Sequence, residues 1–194
     1  ILSSGDELTS IERVPAAGQV RDVNSHLLYA AVTAAGGEAR RYGVCPDEPE
    51  RLREIVGRMA EDCDVLLLSG GTSAGRKDAM PEVVKALGTL HLHGIAMKPG
   101  KPAIVGEIRQ KPVFGLPGHP VAAYYVFRTF VEPLLHCMMN QTPGIPLTRR
   151  ARLDAAVPSN HGREEFVAVR LSQTAEGLVA TPIRGKSGLI TLLA

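Results

Sequence analysis

The segment Ser69-Gly-Gly-Thr-Ser-Ala-Gly75 follows a short apolar run, Val65-Leu-Leu-Leu68. Glycines let a backbone come close to a bound molecule and turn its N–H groups toward it. Ser69, Thr72 and Ser73 add hydroxyls, so Ser69, Gly70, Gly71, Thr72, Ser73 and Gly75 together suit a phosphate or another oxyanion. The loop lacks the spacing of a P-loop and of a dinucleotide fingerprint. A tight strand-to-helix turn is the other reading. Asp78, just beyond, either stabilises the start of the next helix or serves a Mg²⁺ ion beside a bound phosphate. The segment Lys98-Pro-Gly-Lys-Pro102 puts two ammonium groups on one rigid loop. Lysine is a compact charge suited to small oxyanions, and two solvated surface lysines are the alternative.

Two further segments matter. Leu116-Pro-Gly-His-Pro120 joins an expected strand to an expected helix, and its backbone amides, around Pro117, Gly118 and His119, face the place where a helix start attracts anions. His119 either touches a ligand or is merely the N-cap neighbour of Pro120. His119 has no partner at metal-ligand spacing, and His91 and His93, which alternate on an expected strand, are given no metal role. Acidic residues recur where loops leave the expected strands: Asp6 and Glu7, Asp22, and Asp47. In a parallel sheet several of them share the edge that carries the glycine loop. Carboxylates beside a phosphate site are what a magnesium-assisted reaction uses, although acidic first turns are also ordinary helix electrostatics.

These residues need elements to hold them. Leu27, Leu28, Ala31, Val32 and Ala35 recur at helical spacing and predict a helix over 22–36, with Asn24 as N-cap and Gly36-Gly37 as its stop. A second helix fits Glu48–Ala60, opened by Asp47, with Leu52, Ile55, Val56 and Met59 inward. Residues 65–68 are apolar throughout, as in a strand buried on both faces of a parallel sheet. A helix near Met80–Leu87 follows. Residues 102–107 and 112–115 read as strands joined by a tight turn at Arg109-Gln110. A long helix over 120–140 should kink or break at Pro133. This alternation predicts an α/β domain with a mostly parallel sheet over 1–146. Beyond a linker at 141–148, residues 149–158, 164–171 and 177–184 alternate in polarity and predict a small β module over 147–194.

Composition narrows the classes. The chain has 194 residues, 44% hydrophobic and 22% charged, an ordinary globular balance that excludes disorder as the main state. Aromatics are 4% and Trp is absent, which argues against a stacking platform for single-stranded nucleic acid. The net charge of +2 implies no strong global field. No apolar run approaches the roughly 18 residues of a membrane span. Cys45, Cys63 and Cys137 are far apart and read as buried free thiols in a reducing, cytoplasmic compartment. The start at Ile1 and the apolar end at Gly188-Leu-Ile-Thr-Leu-Leu-Ala194 read as cut from a longer protein.

The ordered set Ser4-Gly-Asp-Glu-Leu8, Asp22-Val-Asn24, Asp47, the 69–75 loop with Asp78, the 98–102 loop and Leu116-Pro-Gly-His-Pro120 resembles the molybdopterin molybdenumtransferase family, the MoeA and gephyrin-E type. The resemblance continues more loosely through Gly162-Arg163, Phe166 and Lys186-Ser187-Gly188. It implies a three-layer, MogA-like α/β domain followed by the start of a C-terminal β-barrel. It implies insertion of molybdate into adenylylated molybdopterin, with Mg²⁺ needed and AMP released. Glu7, Asp47 and Asp78 match catalytic acidic positions, and Asp47 and Asp78 the metal region. The glycine loop matches the substrate phosphate region, Lys98 and Lys101 the oxyanion-binding lysines, and Ser187 and Arg163 contributors from the barrel side. His119 stands where the family usually has Asn, and Ala122 where many members have Ser. The family's two N-terminal domains are not in this sequence. Members form homodimers that share active-site residues, so the resemblance implies a dimer, and a molybdopterin adenylyltransferase as a possible partner. Two other functions fit the same fold: molybdopterin adenylylation, and a non-catalytic pterin-binding module.

Overall fold

A computed structural model describes residues 1–71, 79–142, 147–159 and 162–183. The strands are β1 (Leu2–Ser4), β2 (Leu8–Thr9), β3 (Val20–Arg21), β4 (Val44–Cys45), β5 (Leu66–Ser69), β6 (Thr89–His93), β7 (Met97–Lys98), β8 (Ile104–Ile108), β9 (Lys111–Leu116), β10 (Arg152–Leu153), β11 (Glu164–Glu165), β12 (Val169–Thr174) and β13 (Gly177–Pro182). The helices are α1 (Asn24–Ala34), α2 (Pro49–Asp62), α3 (Met80–Leu87), α4 (Pro120–Val126) and α5 (Glu132–Met138). A π-helical turn, Phe127–Val131, joins α4 to α5.

Six strands form the central sheet in the order β4-β1-β5-β9-β8-β6. The first four are mutually parallel, and β8 runs antiparallel to both neighbours. The run Leu66, Leu67, Leu68 shows why these residues make a doubly buried strand. Leu66 and Leu68 point into a core shared with Leu52, Val56 and Met59 of α2 and Met80, Val83 and Val84 of α3. Leu67 points to the other face, against Leu28 and Val32 of α1 and Val126 and Phe127 of the long helix. Side chains alternate across a strand, so a strand covered on both faces must be apolar at every position. Helices on both faces of a mostly parallel sheet make the three-layer α/β architecture that the sequence predicts.

The β8–β9 turn is as expected. Arg109 and Gln110 both adopt left-handed backbone, with φ of 51° and 61°, the conformation of a type I′ hairpin turn. The long helix differs in detail from the expectation of a kink at Pro133. The irregularity lies just before it, where the Glu132 amide bonds to the Phe127 carbonyl five residues back. A wider turn at this point accommodates a residue that has no N–H and crowds the preceding turn. Helix α1 is shorter than predicted and stops where Gly36 takes φ 89°.

Beyond residue 147, alternation gives shorter strands than expected. Strands β10, β13 and β12 form a separate three-stranded sheet. Strand β11 instead leaves that sheet and pairs in parallel with β7, Glu164 opposite Met97 and Glu165 opposite Lys98.

Candidate functional site

The register places several loops on one edge. Ser4 pairs with Cys45, Ser3 with Ser69, and Ser69 with Leu116, so β1, β4, β5 and β9 all end there. Ile104, at the start of β8, lies opposite Gly115, and His93, at the end of β6, lies opposite Ile104. The 94–103 segment that carries Lys98 and Lys101 therefore rises from the same edge. β5 and β8 are two strands apart, about 10 Å at ordinary strand spacing. Ligands of open α/β sheets sit along such an edge.

At the centre, the glycine loop presses against the end of β1. Gly70 has φ 88°, and a Cβ there would overlap the Ser4 carbonyl oxygen. Its amide donates to the Leu116 carbonyl at 3.1 Å. Gly71 has φ 56° and faces Ser4 Oγ and Asp47 Oδ1, which a Cβ would approach to 3.7 and 3.8 Å. The Ser4 hydroxyl donates to Asp47 Oδ1, and the Asp47 amide donates to Asp6 Oδ1 at 3.0 Å. Asp47 thus stands beside the glycine loop, tied to the ends of β1 and β4. It does not cap α2: the N-cap is Glu48, with no side-chain cap bond. Glu7 is exposed, and its carboxylate folds back over Gly5.

Asn24 corrects a second capping expectation. The N-cap of α1 is Val23, and Asn24 is the first helical residue. Its amide reaches across the edge, donating to Ser69 Oγ at 2.8 Å and to the Gly118 carbonyl at 2.9 Å. Asn24 therefore fixes the ends of β5 and β9 against each other, and Ser69, 2% exposed, is held from behind. Asp22 accepts from the Ser25 amide at 3.1 Å and from the Ser3 hydroxyl at 2.9 Å. It performs the helix-start role assigned to Asn24. Ser4 and Asn24 are the positions that sequence reasoning missed as site-builders. Both lie inside segments it quoted, and only the strand register brings them to the glycine loop.

Pro117 is buried, whereas Gly118 and His119 are exposed. A Cβ on Gly118 would come within 3.9 Å of Gly70, so the two loops touch. His119 is the N-cap of α4 and makes no side-chain cap bond. The lysine loop is packed through Gly100, whose φ is 125°. A Cβ there would overlap the Met97 side chain and approach Val126 Cγ2 to 2.9 Å. Lys101 is exposed. Lys98 forms an ion pair with Glu165 at 2.6 Å, where the sequence suggested an ammonium open to an oxyanion. Thr72, Ser73, Gly75, Asp78 and Ser187 lie outside the described residues. Among the described residues, no three His, Cys, Asp or Glu side chains gather as a metal cluster.

A family profile described as "Probable molybdopterin binding domain" matches residues 1–137. The chain belongs to this molybdopterin-binding domain family. A second profile, "MoeA C-terminal region (domain IV)", matches residues 150–194. A molybdopterin molybdenumtransferase 1 of Mycobacterium tuberculosis is 32% identical over 173 residues, covering 88% of this chain and 41% of its own length. The molybdopterin molybdenumtransferase of Bacillus subtilis is 29% identical over 197 residues, covering 100% of this chain and 46% of its own. The crystal structure of a molybdopterin biosynthesis MoeA protein from a Pyrococcus superposes with a TM-score of 0.82 at 36% identity, over 98% of this chain and 46% of that one. A MoaB structure from Thermus thermophilus shares the fold, with a TM-score of 0.57 at 20% identity. The family's chain here spans about half the length, or less, of the curated relatives it matches. The molybdenumtransferase resemblance drawn from the ordered motifs agrees with the names of these relatives.

Proposed function

We propose that the full-length protein carrying this chain works in molybdenum cofactor biosynthesis, inserting molybdate into adenylylated molybdopterin with release of AMP. One observation carries the reading. The glycine loop, Asp47, the 117–119 loop and the lysine segment share the carboxyl edge of one sheet. That edge offers both parts of the chemistry. The backbone at Gly70 and Gly71 carries no side-chain bulk and lets the substrate's phosphates come close, with the Gly71 amide as the donor beside them while the Gly70 amide holds the loop to Leu116. Lys98 and Lys101 suit a tetrahedral dianion.

Asp47 fits a Mg²⁺ ion shared with substrate phosphate, because Mg²⁺ commonly takes one or two carboxylates and fills its remaining positions with phosphate oxygens and water. Asp78, by its place after the glycine loop, is the second carboxylate of the reading. The ion would neutralise phosphate charge as AMP departs. The chain's own residues orient the two anions toward each other, and catalysis is mostly positioning and electrostatic stabilisation. Residues 1–146 carry this edge, and 147–194 supply Glu165 beside it and Ser187. A homodimer completing the site, as well as channelling from a molybdopterin adenylyltransferase, belongs to the same proposal.

The test is calorimetric titration of the full-length protein with adenylylated molybdopterin, with and without Mg²⁺, followed by molybdate and an AMP-release assay. Mg²⁺-dependent binding and molybdate-stimulated AMP release are expected. Binding without AMP release would select the non-catalytic pterin module instead.

A further inference from the structure

The expected oxyanion lysine already has a carboxylate on it. Glu165 Oε1 lies 2.6 Å from Lys98 Nζ, and the two side chains are only 14% and 33% exposed. This pairing is built into the backbone. Glu165 is in register with Lys98, the Phe166 amide donates to the Lys98 carbonyl at 2.8 Å, and the Glu164 amide donates to the Ala96 carbonyl at 2.8 Å. The Phe166 ring then stacks on Tyr125 of α4 at 5.1 Å. The helix bearing Tyr125 starts directly after the 117–119 loop. Residues 164–166 therefore form a strap from the C-terminal region, laid along the lysine segment and pinned to α4 through Tyr125.

We propose that Glu165 is a positioning and selectivity residue for the oxyanion site, fixing the Lys98 ammonium and cancelling part of its charge. The inference rests on the reading of Lys98 and Lys101 as the oxyanion lysines. An ammonium has three donors. One is directed at Glu165, which leaves two aimed by that bond at an incoming anion. Fixing the long side chain removes rotamer freedom before the anion arrives. The carboxylate also lowers the charge of the two-lysine segment from +2 to +1. A passing anion is then held less tightly, and only one that satisfies the fixed donors gains full binding.

Glu165→Gln separates charge from position. Glutamine keeps the length and the accepting oxygen but removes the negative charge. Molybdate affinity of the full-length protein, measured by equilibrium dialysis at low salt without pterin, is expected to rise about three- to tenfold. Sulfate affinity should rise at least as much, so discrimination between the two falls. In turnover, KM for molybdate should drop, with kcat unchanged or lower. Glu165→Asp, which keeps the charge but shortens the reach, should give a smaller gain. In a Lys98→Met background the Glu165→Gln gain should vanish.

Equal or weaker molybdate binding by Glu165→Gln, with an unchanged melting temperature, would reduce Glu165 to a structural contact and overturn the proposal. If Glu165→Gln does not fold, the Glu165→Asp result decides on the same terms. Absence of molybdate uptake in wild type and variants alike also overturns it. Failure of AMP release alone would count against the proposed activity, and the dialysis result would still decide the role of Glu165.

Discussion

A methyl group at Gly70 would run into the Ser4 carbonyl oxygen, and φ there is 88°. Both the overlap and the left-handed backbone oppose any side chain. Gly70→Ala is expected to cost about 2 kcal/mol or more of stability, read from urea unfolding. Gly71 differs, because its nearest neighbours lie at ordinary contact distance, 3.7 Å and beyond. Gly71→Ala should cost about 1 kcal/mol for its positive φ, yet weaken adenylylated molybdopterin binding by filling space beside Asp47. A Gly71→Ala variant that binds like wild type would remove this loop from the ligand's path. Asp47→Asn leaves an acceptor for the Ser4 hydroxyl, so folding should survive while Mg²⁺-dependent AMP release falls about tenfold or more. The glycine and aspartate types were legible in sequence as candidates for anion and metal chemistry. Ser4 and Asn24 were not, because each acts across the sheet, and a partner some forty residues away in the chain leaves no local spacing to read.

At the scale of elements, periodicity read well where an element answers to one core. Helix α3 spans Met80–Leu87 as its pattern predicts, and β5 follows its apolar run. The reading weakened where packing of distant segments decides the outcome. Residues 164–165 alternate like a strand of the C-terminal sheet, yet they join β7, because Phe166 is drawn to Tyr125 and the apolar cluster beneath it. The lysine loop depends on the same packing. Gly100 fits only because it has no side chain against Met97 and Val126. Gly100→Ala should push the loop off α4 and lower molybdate affinity several-fold, while pterin binding changes less than about twofold, since the glycine loop follows β5, two strands from β8, and Asp47 follows β4, four strands from it. Calorimetry with each ligand checks this, and equal losses would show that the two halves of the edge are not separable.

For the whole molecule, the sheet's edge strand β4 ties its stability to pH. Cys45 is fully buried on that strand, in the core that also holds Leu2, Leu52 and Val56. Burial pushes its thiol pKa above the ordinary 9.0, since a thiolate there would lose its hydration. The folded thiol thus keeps its proton at a pH where the unfolded chain has released it. Stability from this group is complete below about pH 9 and declines as pH rises through the folded value. Tyr42, beside the same core, acts in the same direction, its phenol raised first by desolvation and then by its bonds to Cys63 and Asp62. Urea midpoints should therefore hold from pH 7.5 to 9 and fall by pH 10.5, and Cys45→Ala, less stable at neutral pH, should show a shallower fall. The thiols supply an independent readout. Of the three thiols expected to be buried, only Cys45 is; Cys137, near the end of α5, is exposed and should react with a thiol reagent within mixing time at pH 8, whereas Cys45 should react only as fast as the domain opens. Rapid labelling of Cys45 in the absence of urea would mean that β4 frays separately from the rest of the sheet. Asp47, which follows β4 directly, would then sit on a strand that opens on its own, and the edge carrying the glycine loop would not be the rigid frame that positioning catalysis requires.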